Sequence, residues 1–84
     1  MNNVYQRNIA VAAGYAALAA TPTIVTVTIS CPPANVAVVN FLADDGTDVP
    51  WQPGEWHTFH GVDLSQIQIK GAVGDTVTLN GGTW

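Results

Sequence analysis

The stretch PTIVTVTIS, residues 22–30, decides the fold class of this chain. Its side chains alternate between two sets, which are Thr23, Val25, Val27 and Ile29 on one side and Ile24, Thr26, Thr28 and Ser30 on the other. Side chains of a β-strand point to opposite faces with a period of two, and β-branched residues suit the pleated surface of a sheet. The stretch therefore predicts a strand with one buried face. We expect it to end before the prolines at positions 32 and 33, which lack backbone donors for a sheet ladder.

Further strand candidates follow, separated by turns that are rich in glycine and proline. They span residues 35–43, 49–51, 55–60, 66–70 and 76–80. The first is apolar on both faces, which indicates cover from two sides, and the last is expected to point Val77 and Leu79 inward. We expect a bend at residues 61–65 and release of the chain end at residues 81–82. Strands at intervals of about 8–12 residues predict an all-β domain over residues 21–84, a small antiparallel β-sandwich or barrel of the jelly-roll type.

Residues 1–20 form an extended, alanine-rich N-terminal segment. As a first strand it would place Ile9, Val11 and Ala13 on one face and continue into a loop; as an arm it would reach a neighbouring molecule. Alanine also favours helices, so a short helix is the alternative. The segment loosely imitates a secretory signal, but Gly14 interrupts it and alanine dominates over leucine, which favours a structural role.

Composition predicts that part of the surface is covered by other molecules. Charged residues make up 10% of the chain, whereas a typical soluble domain carries roughly 25%. The chain has 84 residues and one cysteine, so its core is small and no internal disulfide can staple it. We expect the chain to gain the stability that its small core does not supply by association with copies of itself or with a larger surface. The net charge of −4, with Arg7 and Lys70 as the cations, argues against nucleic acid and against anionic membranes as partners.

No group of residues in the sequence has the spacing of a catalytic, cofactor or metal site. The carboxylates of residues 44–48 surround Gly46 but miss the spacing of a calcium loop, which favours a solvated hairpin. His57 and His60 are three residues apart, so on a strand they point to opposite faces. Cys31 lies beside prolines and far from any helix N-terminus that would activate a thiol. We therefore expect a protein that is not an enzyme and holds no cofactor or metal.

The tryptophans lie beside turns or at the chain terminus. Tryptophan is enriched at protein interfaces because it contributes a large apolar area and one hydrogen-bond donor. We expect Trp56, inside a strand candidate, in the core. Trp51 and Trp84 are expected to contact neighbours, together with apolar side chains of the N-terminal segment. The predicted interface residues are Val4, Tyr5, Ile9, Trp51 and Trp84.

The second half of the chain carries three short motifs in a suggestive order. They are PGE at residues 53–55, VDLSQIQIKG at 62–71 and GDTV at 74–77, and two glycines follow at 81–82. This order resembles a loose group of small structural proteins of tailed phages, which share such an ending on a compact β-sandwich. The upstream strand at residues 24–30 fits the order of that group, although each motif alone is ordinary turn and strand sequence.

The resemblance implies a virion protein, most simply a decoration or cement protein on the capsid exterior. Its partner would be the major capsid protein, its own copies would associate as a trimer, and it would be made in the host cytoplasm. The alanine-rich segment and the additional tryptophans depart from the group and leave the mode of attachment open. One alternative is a tail or fibre module that contacts a host surface glycan through Trp51 and residues 44–48. The other is a small cellular binding domain.

Overall fold

A computed structural model describes residues 4–83 of the chain. The regular structure in this range consists of β-strands and one turn of 3₁₀ helix at Leu64–Gln66. The strands are β1 (Val4–Ala10), β2 (Ala16–Ala17), β3 (Ile24–Ser30), β4 (Val39–Leu42), β5 (Asp48–Trp51), β6 (Trp56–Asp63), β7 (Gln68–Lys70) and β8 (Thr76–Gly82). Within residues 4–83, no helix has the length and apolar character needed to cross a bilayer.

The strands form two antiparallel sheets of four strands each. The first sheet has the order β1-β8-β3-β6, and the second has the order β2-β7-β4-β5. The chain therefore changes sheet at most connections, and β4 and β5 form a hairpin within the second sheet. This order is that of an eight-stranded jelly roll. The predicted antiparallel sandwich is confirmed, and because the two sheets are separate, the barrel alternative is not formed.

The core lies between the sheets, and β3 supplies its centre. Val25, Val27 and Ile29 are buried, as the alternation predicts, and they pack with Val77 and Leu79 of β8. Each such side chain contributes roughly 1.5–3 kcal/mol relative to full exposure. The hydroxyl residues of β3 point away from this core, so one strand supplies both an apolar inner face and a polar outer face.

The predicted strand at residues 35–43 is only partly correct, because β4 begins at Val39. Asn35 holds the preceding loop by two hydrogen bonds to the backbone of Thr76, with Nδ2 donating at 2.8 Å and Oδ1 accepting at 3.0 Å. The Asp75 carboxylate accepts from the backbone N–H groups of Val36 and Ala37 at 3.0 and 3.1 Å. The side chains of Asn35 and Asp75 therefore satisfy backbone groups that would otherwise pair with a neighbouring strand. A loop forms in place of the first half of the predicted strand.

The predicted bend at residues 61–65 is also corrected, because β6 continues to Asp63 before the 3₁₀ turn begins. The strand accommodates a bulge, seen as a register shift opposite the segment between Val25 and Val27. Gly61 lies in this bulge with a φ of +60°, a conformation that glycine adopts without a Cβ clash. The Asp63 carboxylate then accepts from the N–H groups of Thr23 and Ser65, both at 3.0 Å, which fixes the start of the turn.

The glycine pair at residues 81–82 stays within β8 and does not release the chain from the sheet, contrary to the prediction. β8 is a central strand, and Gly81 pairs with Tyr5 on one side and with Val27 on the other. A Cβ atom on Gly81 would lie 2.0 Å from the Thr26 carbonyl oxygen. Glycine is therefore required at this position by the close approach of β3 and β8.

Residues 4–10, in the N-terminal segment, pair along their whole length with β8. Ile9 packs against the core and Val11 is buried, whereas Ala13 lies beyond the strand and is exposed. The inward face predicted for Ile9, Val11 and Ala13 therefore ends at Val11. The segment then crosses to the second sheet, where β2 pairs with β7.

Gly81→Ala is expected to lower the free energy of unfolding by about 2 kcal/mol or more, because the methyl group must push two central strands apart. Gly14→Ala is the matched control, since a Cβ atom at Gly14 meets nothing within 4 Å. It should change the free energy of unfolding by no more than about 0.5 kcal/mol. Urea unfolding followed by tryptophan fluorescence measures both, and equal midpoints for the two variants would contradict the close approach.

Candidate functional site

The outer surface of the first sheet is the candidate site. Because Val25, Val27 and Ile29 point inward, the residues between them point outward. Residues paired across neighbouring strands point to the same face, so the register also identifies the outward residues of β8, β1 and β6. We name this surface the neutral face. It consists of Gln6, Asn8 and Ala10 of β1, Thr76, Thr78 and Asn80 of β8, Thr26, Thr28 and Ser30 of β3, and Trp56, Thr58 and His60 of β6. Val4 and Ile24 extend it at one end, and both are exposed.

None of the formally charged side chains is among the strand residues named for the neutral face; Asp63, opposite Ile24 at the end of β6, borders it and accepts hydrogen bonds from the backbone of Thr23 and Ser65. The chain has two cationic and six carboxylate side chains. They are Arg7, Asp44, Asp45, Asp48, Glu55, Asp63, Lys70 and Asp75. A solvated surface normally carries about 25–35% charged residues, which keep molecules apart in solution. A sheet face that carries a charge only at its border is therefore suited to being covered.

Hydrogen bonds between neighbouring strands organise the polar groups of this face. Gln6 donates from Nε2 to Oδ1 of Asn80 at 3.0 Å, and the hydroxyls of Thr28 and Thr58 are 2.8 Å apart. The hydroxyls of Ser30 and Thr78 form a third pair. Polar groups that already have partners lose less when water is removed from them. Side chains held in one conformation also lose less entropy when a partner covers them.

Trp56 is the large aromatic side chain of the neutral face, and the prediction that it lies in the core is wrong. Its side chain is 62% exposed, and it pairs with Ser30 at the edge of the sheet. The apolar residues Trp56, Phe59 and Val62 are spaced by three, so they cannot share one face of a regular strand. Phe59 points inward by simple alternation from the outward Trp56, and the bulge at Gly61 then turns Val62 inward as well.

The prediction of an exposed Trp51 is also wrong, because the side chain is 5% exposed and belongs to the core. Its ring stacks on Phe41 with centroids 3.8 Å apart, and the edge of His57 lies at 4.7 Å. Trp51 therefore cannot offer a sugar-stacking platform beside residues 44–48 without leaving the core.

The other predicted interface residues have different environments. Tyr5 and Ile9 are half-buried and pack against the core, and Val4 is exposed at the corner of the neutral face. Trp84 lies outside the described residues.

The outer side of the second sheet has the opposite character, because it carries a charged cluster. The Tyr15 hydroxyl donates to Oδ1 of Asp48, and Lys70 Nζ lies 3.5 Å from Oδ2 of Asp48 and 4.7 Å from the centre of the Tyr15 ring. The bond from Tyr15 lowers the pKa of Asp48. Desolvation and the bond to Asp48 raise the pKa of Tyr15 to about 12. The cluster ties β5 and β7 to the residue that precedes β2, on the face away from the neutral face.

The acidic segment between β4 and β5 is a hairpin loop, as the sequence predicts. Gly46 has a φ of +85°, and the Asp45 carboxylate accepts from the N–H of Thr47 at 3.1 Å and from its hydroxyl at 2.6 Å. Hydrogen bonds from Thr47 lower the pKa of Asp45. Within residues 4–83, no group of three or more His, Cys, Asp or Glu side chains could hold a metal ion.

The remaining reactive residues are dispersed. His57 hydrogen-bonds through Nε2 to the Glu55 carboxylate at 2.7 Å and lies against Trp51, whereas His60 is on the neutral face, so the two rings diverge as predicted. Cys31 is buried, and burial raises the pKa of its thiol to about 11. A thiol that remains protonated at neutral pH is a poor nucleophile.

An apolar cleft of about 270 Å³ opens between the edges of the two sheets. Phe41, Val49, Trp51 and Phe59 line it, and Gln66 contributes a polar side chain. Small-molecule sites usually combine an apolar lining with several convergent polar groups. The cleft is therefore a weaker candidate than the neutral face.

Comparison of the chain with protein-family models, with curated proteins and with solved structures finds no match. The assignment of function therefore depends on the surface that the fold itself displays.

Tyr15→Phe is expected to raise the pKa of Asp48 toward its ordinary value of 3.8, because the bond from Tyr15 is the main cause of the lowering. Lys70→Gln is the control and should raise the pKa of Asp48 by a smaller amount. Because the pKa of Asp48 is lower in the folded than in the unfolded protein, its carboxylate stabilises the fold at pH values above the unfolded-state pKa. This contribution to the free energy of unfolding is lost as the pH falls through the folded-state pKa. Carbon-13 NMR titration of the Asp48 carboxyl measures the change; the same pKa in wild type and Tyr15→Phe would refute the assignment.

Proposed function

We propose that this chain is a non-enzymatic virion structural protein, a decoration or cement protein that binds the assembled lattice of a major capsid protein. It binds through the neutral face and acts on the capsid exterior after synthesis in the host cytoplasm. The observation that supports this proposal is the separation of charge between the two sides of the sandwich. One side is uncharged over a four-stranded sheet except for Asp63 at its border, and the other carries Asp48, Lys70 and the acidic hairpin.

The neutral face has the physical properties of a surface that is covered in its working state. Covering an unpaired charge is strongly unfavourable, and this face contains no formal charge to cover. Its amide and hydroxyl pairs are already formed, as in the contact between Gln6 and Asn80, so their loss of water costs less. An antiparallel sheet of four strands also matches an extended lattice surface better than it matches a small ligand.

Trp56 is the expected anchor of this contact. Tryptophan side chains dominate the energetics of many protein interfaces when they enter a pocket of the partner. The ring is exposed at the edge strand β6, where it can insert into a neighbouring subunit while the sheet lies flat. In this orientation the acidic hairpin points away from the lattice, where like charges keep particles apart.

Cement function follows from selective binding to the assembled lattice. A protein that binds assembled subunits and not dissociated ones shifts the equilibrium toward assembly by mass action. Copies that associate with each other, as the predicted homo-oligomer does, gain avidity without new types of contact. A small domain with a thin core then gains stability from the partner as well.

A fibre or tail module that binds a neutral host glycan is the second candidate, and the exposure of Trp56 is the observation that favours it. An aromatic ring beside uncharged hydroxyl and amide groups suits a sugar, with its apolar and hydrogen-bonding sides. Capsid binding is preferred because hydroxyl pairs such as Thr28 and Thr58 already bond to each other, which leaves them less free to bond to a sugar. Glycan-array binding by the wild type with loss in Trp56→Ala, and no binding to capsids, would favour the second candidate.

Asn80→Lys is expected to weaken binding to capsids by at least tenfold, because it places an unpaired charge at the centre of the neutral face. Asp44→Asn is the matched control: it changes the net charge by the same amount on the acidic hairpin and should leave affinity unchanged. Co-sedimentation with capsids that lack the protein measures both, with circular dichroism as the check on folding. Equal affinity of the two variants would exclude the neutral face as the docking surface.

Capsids assembled without this protein are expected to lose DNA at lower temperature and after milder osmotic shock than complete particles. Adding back the wild-type protein should restore resistance, and adding back Asn80→Lys should not. Release of the packaged genome, followed with a DNA-binding dye, measures the effect. Particles that survive both stresses equally with and without the protein would contradict the cement function.

A further inference from the structure

The sandwich has four edge strands, and three of them carry features that prevent pairing with another strand. β2 has two residues, β5 contains Pro50, and β6 is interrupted by the bulge at Gly61. Short strands, prolines and bulges are the usual devices that protect an edge. β1 is different, because it runs for seven residues without proline or bulge.

The open side of β1 can be identified from its backbone hydrogen bonds. Val11 N–H donates to the Asp75 carbonyl at 3.0 Å, on the side of β8. In an antiparallel pair, alternate residues bond to the same neighbour. Residues of odd number in β1 therefore bond to β8, whereas Gln6, Asn8 and Ala10 direct their N–H and C=O groups away from it, toward the open edge.

Arg7 partly covers this edge. Its guanidinium donates from Nη1 to the Gln6 carbonyl at 2.8 Å and lies 4.4 Å from the centre of the Tyr5 ring. Gln6 is one of the residues whose carbonyl points outward. The side chain therefore occupies an acceptor that a pairing strand would use, and it must move before that strand can bind.

The size of the neutral face supplies a second argument. From the spacing of strands and the rise per residue, four strands of seven residues cover about 19 Å by 23 Å, or about 450 Å². A stable protein interface buries about 800 Å² on each partner. One neutral face is therefore too small for a standard interface, whereas two faces joined in one plane reach about 900 Å².

We propose that a second copy of this chain pairs with β1 in the antiparallel sense, which joins the two first sheets into one sheet of eight strands. The two-fold axis passes beside Asn8, so Asn8 faces Asn8 of the second copy and Gln6 faces Ala10 of the second copy. This register uses the outward-directed groups of Gln6, Asn8 and Ala10. It also places Arg7 opposite Ile9 of the second copy, so the two guanidinium groups do not oppose each other.

The joined sheet presents two neutral faces side by side. The use of this doubled surface against a capsid, and the argument from its size, rest on the proposed function, whereas the argument from the unprotected edge of β1 does not. An antiparallel pairing about a two-fold axis produces a dimer, which distinguishes it from the trimer that the phage resemblance implies.

Cysteine cross-linking tests the register directly. Directly opposed residues of a hydrogen-bonded antiparallel pair have Cα atoms about 5.5 Å apart, within the range of a disulfide. Asn8→Cys should therefore form a covalent dimer in oxidised glutathione, seen on a non-reducing gel. Thr58→Cys is the control, because it lies on the same face but on the opposite edge strand, and it should remain monomeric. The native Cys31 is 1% exposed and should not react.

Sedimentation of proline and alanine variants tests the edge without any cross-link. The wild type is expected to sediment as a dimer, and Asn8→Pro, which removes an outward N–H group, should be a monomer. Asn8→Ala keeps that group and should remain a dimer. Arg7→Ala frees the Gln6 carbonyl and should tighten the dimer severalfold. Circular dichroism confirms folding, and the cross-linking result stands on its own if Asn8→Pro does not fold.

A wild type that sediments as a monomer or a trimer would overturn the pairing, as would equal cross-linking of Asn8→Cys and Thr58→Cys. The proposed function fails separately. A dimer that does not bind capsids would overturn capsid decoration and leave the edge pairing intact. A monomeric wild type that binds capsids would overturn the edge pairing and leave capsid decoration intact.

Discussion

The pairing of β3 with β8 on one side and with β6 on the other determines both the inside and the outside of this protein. β3 places Val25, Val27 and Ile29 in the core and points its hydroxyl groups to the neutral face. A slip of one residue would exchange these two sets, because the side-chain period of a strand is two. The contact of Gly81 with the backbone of β3 holds the register, since no larger residue fits there without movement.

The alternation along β3 was sufficient to predict its strand, its buried side and, with the spacing of the turns, the antiparallel sandwich. The predictions that failed depend on partners distant in the sequence. The loop before Val39 is held by Asn35 and Asp75 through bonds to residues about forty positions away, which no local pattern reveals. The predicted positions of the two tryptophans fail because strand partners set them: Trp56 pairs with Ser30, on the outer side of β3, whereas Trp51 pairs with the buried Val39 of β4.

The neutral face could have been predicted only in part. The hydroxyl residues of β3 and β8 alternate visibly in the sequence, and their uncharged character is plain there. Their arrangement as one surface requires the order of the strands, which brings the first, last, third and sixth strands together. The charges become segregated for the same reason: Asp48 and Lys70 are distant in sequence, and only the second sheet places them beside Tyr15.

The position of β8 between β1 and β3 has a consequence for biosynthesis. During translation, β1 and β3 leave the ribosome long before their shared neighbour does, and they cannot pair directly without excluding it. The first sheet can close only when Gly82 has emerged, because that residue pairs with Val4. Until then, three strands of the future sheet expose unpaired backbone groups in the nascent chain. Such segments are prone to aggregation, so we expect the newly made chain to depend on rapid completion of β8 or on transient protection by a chaperone.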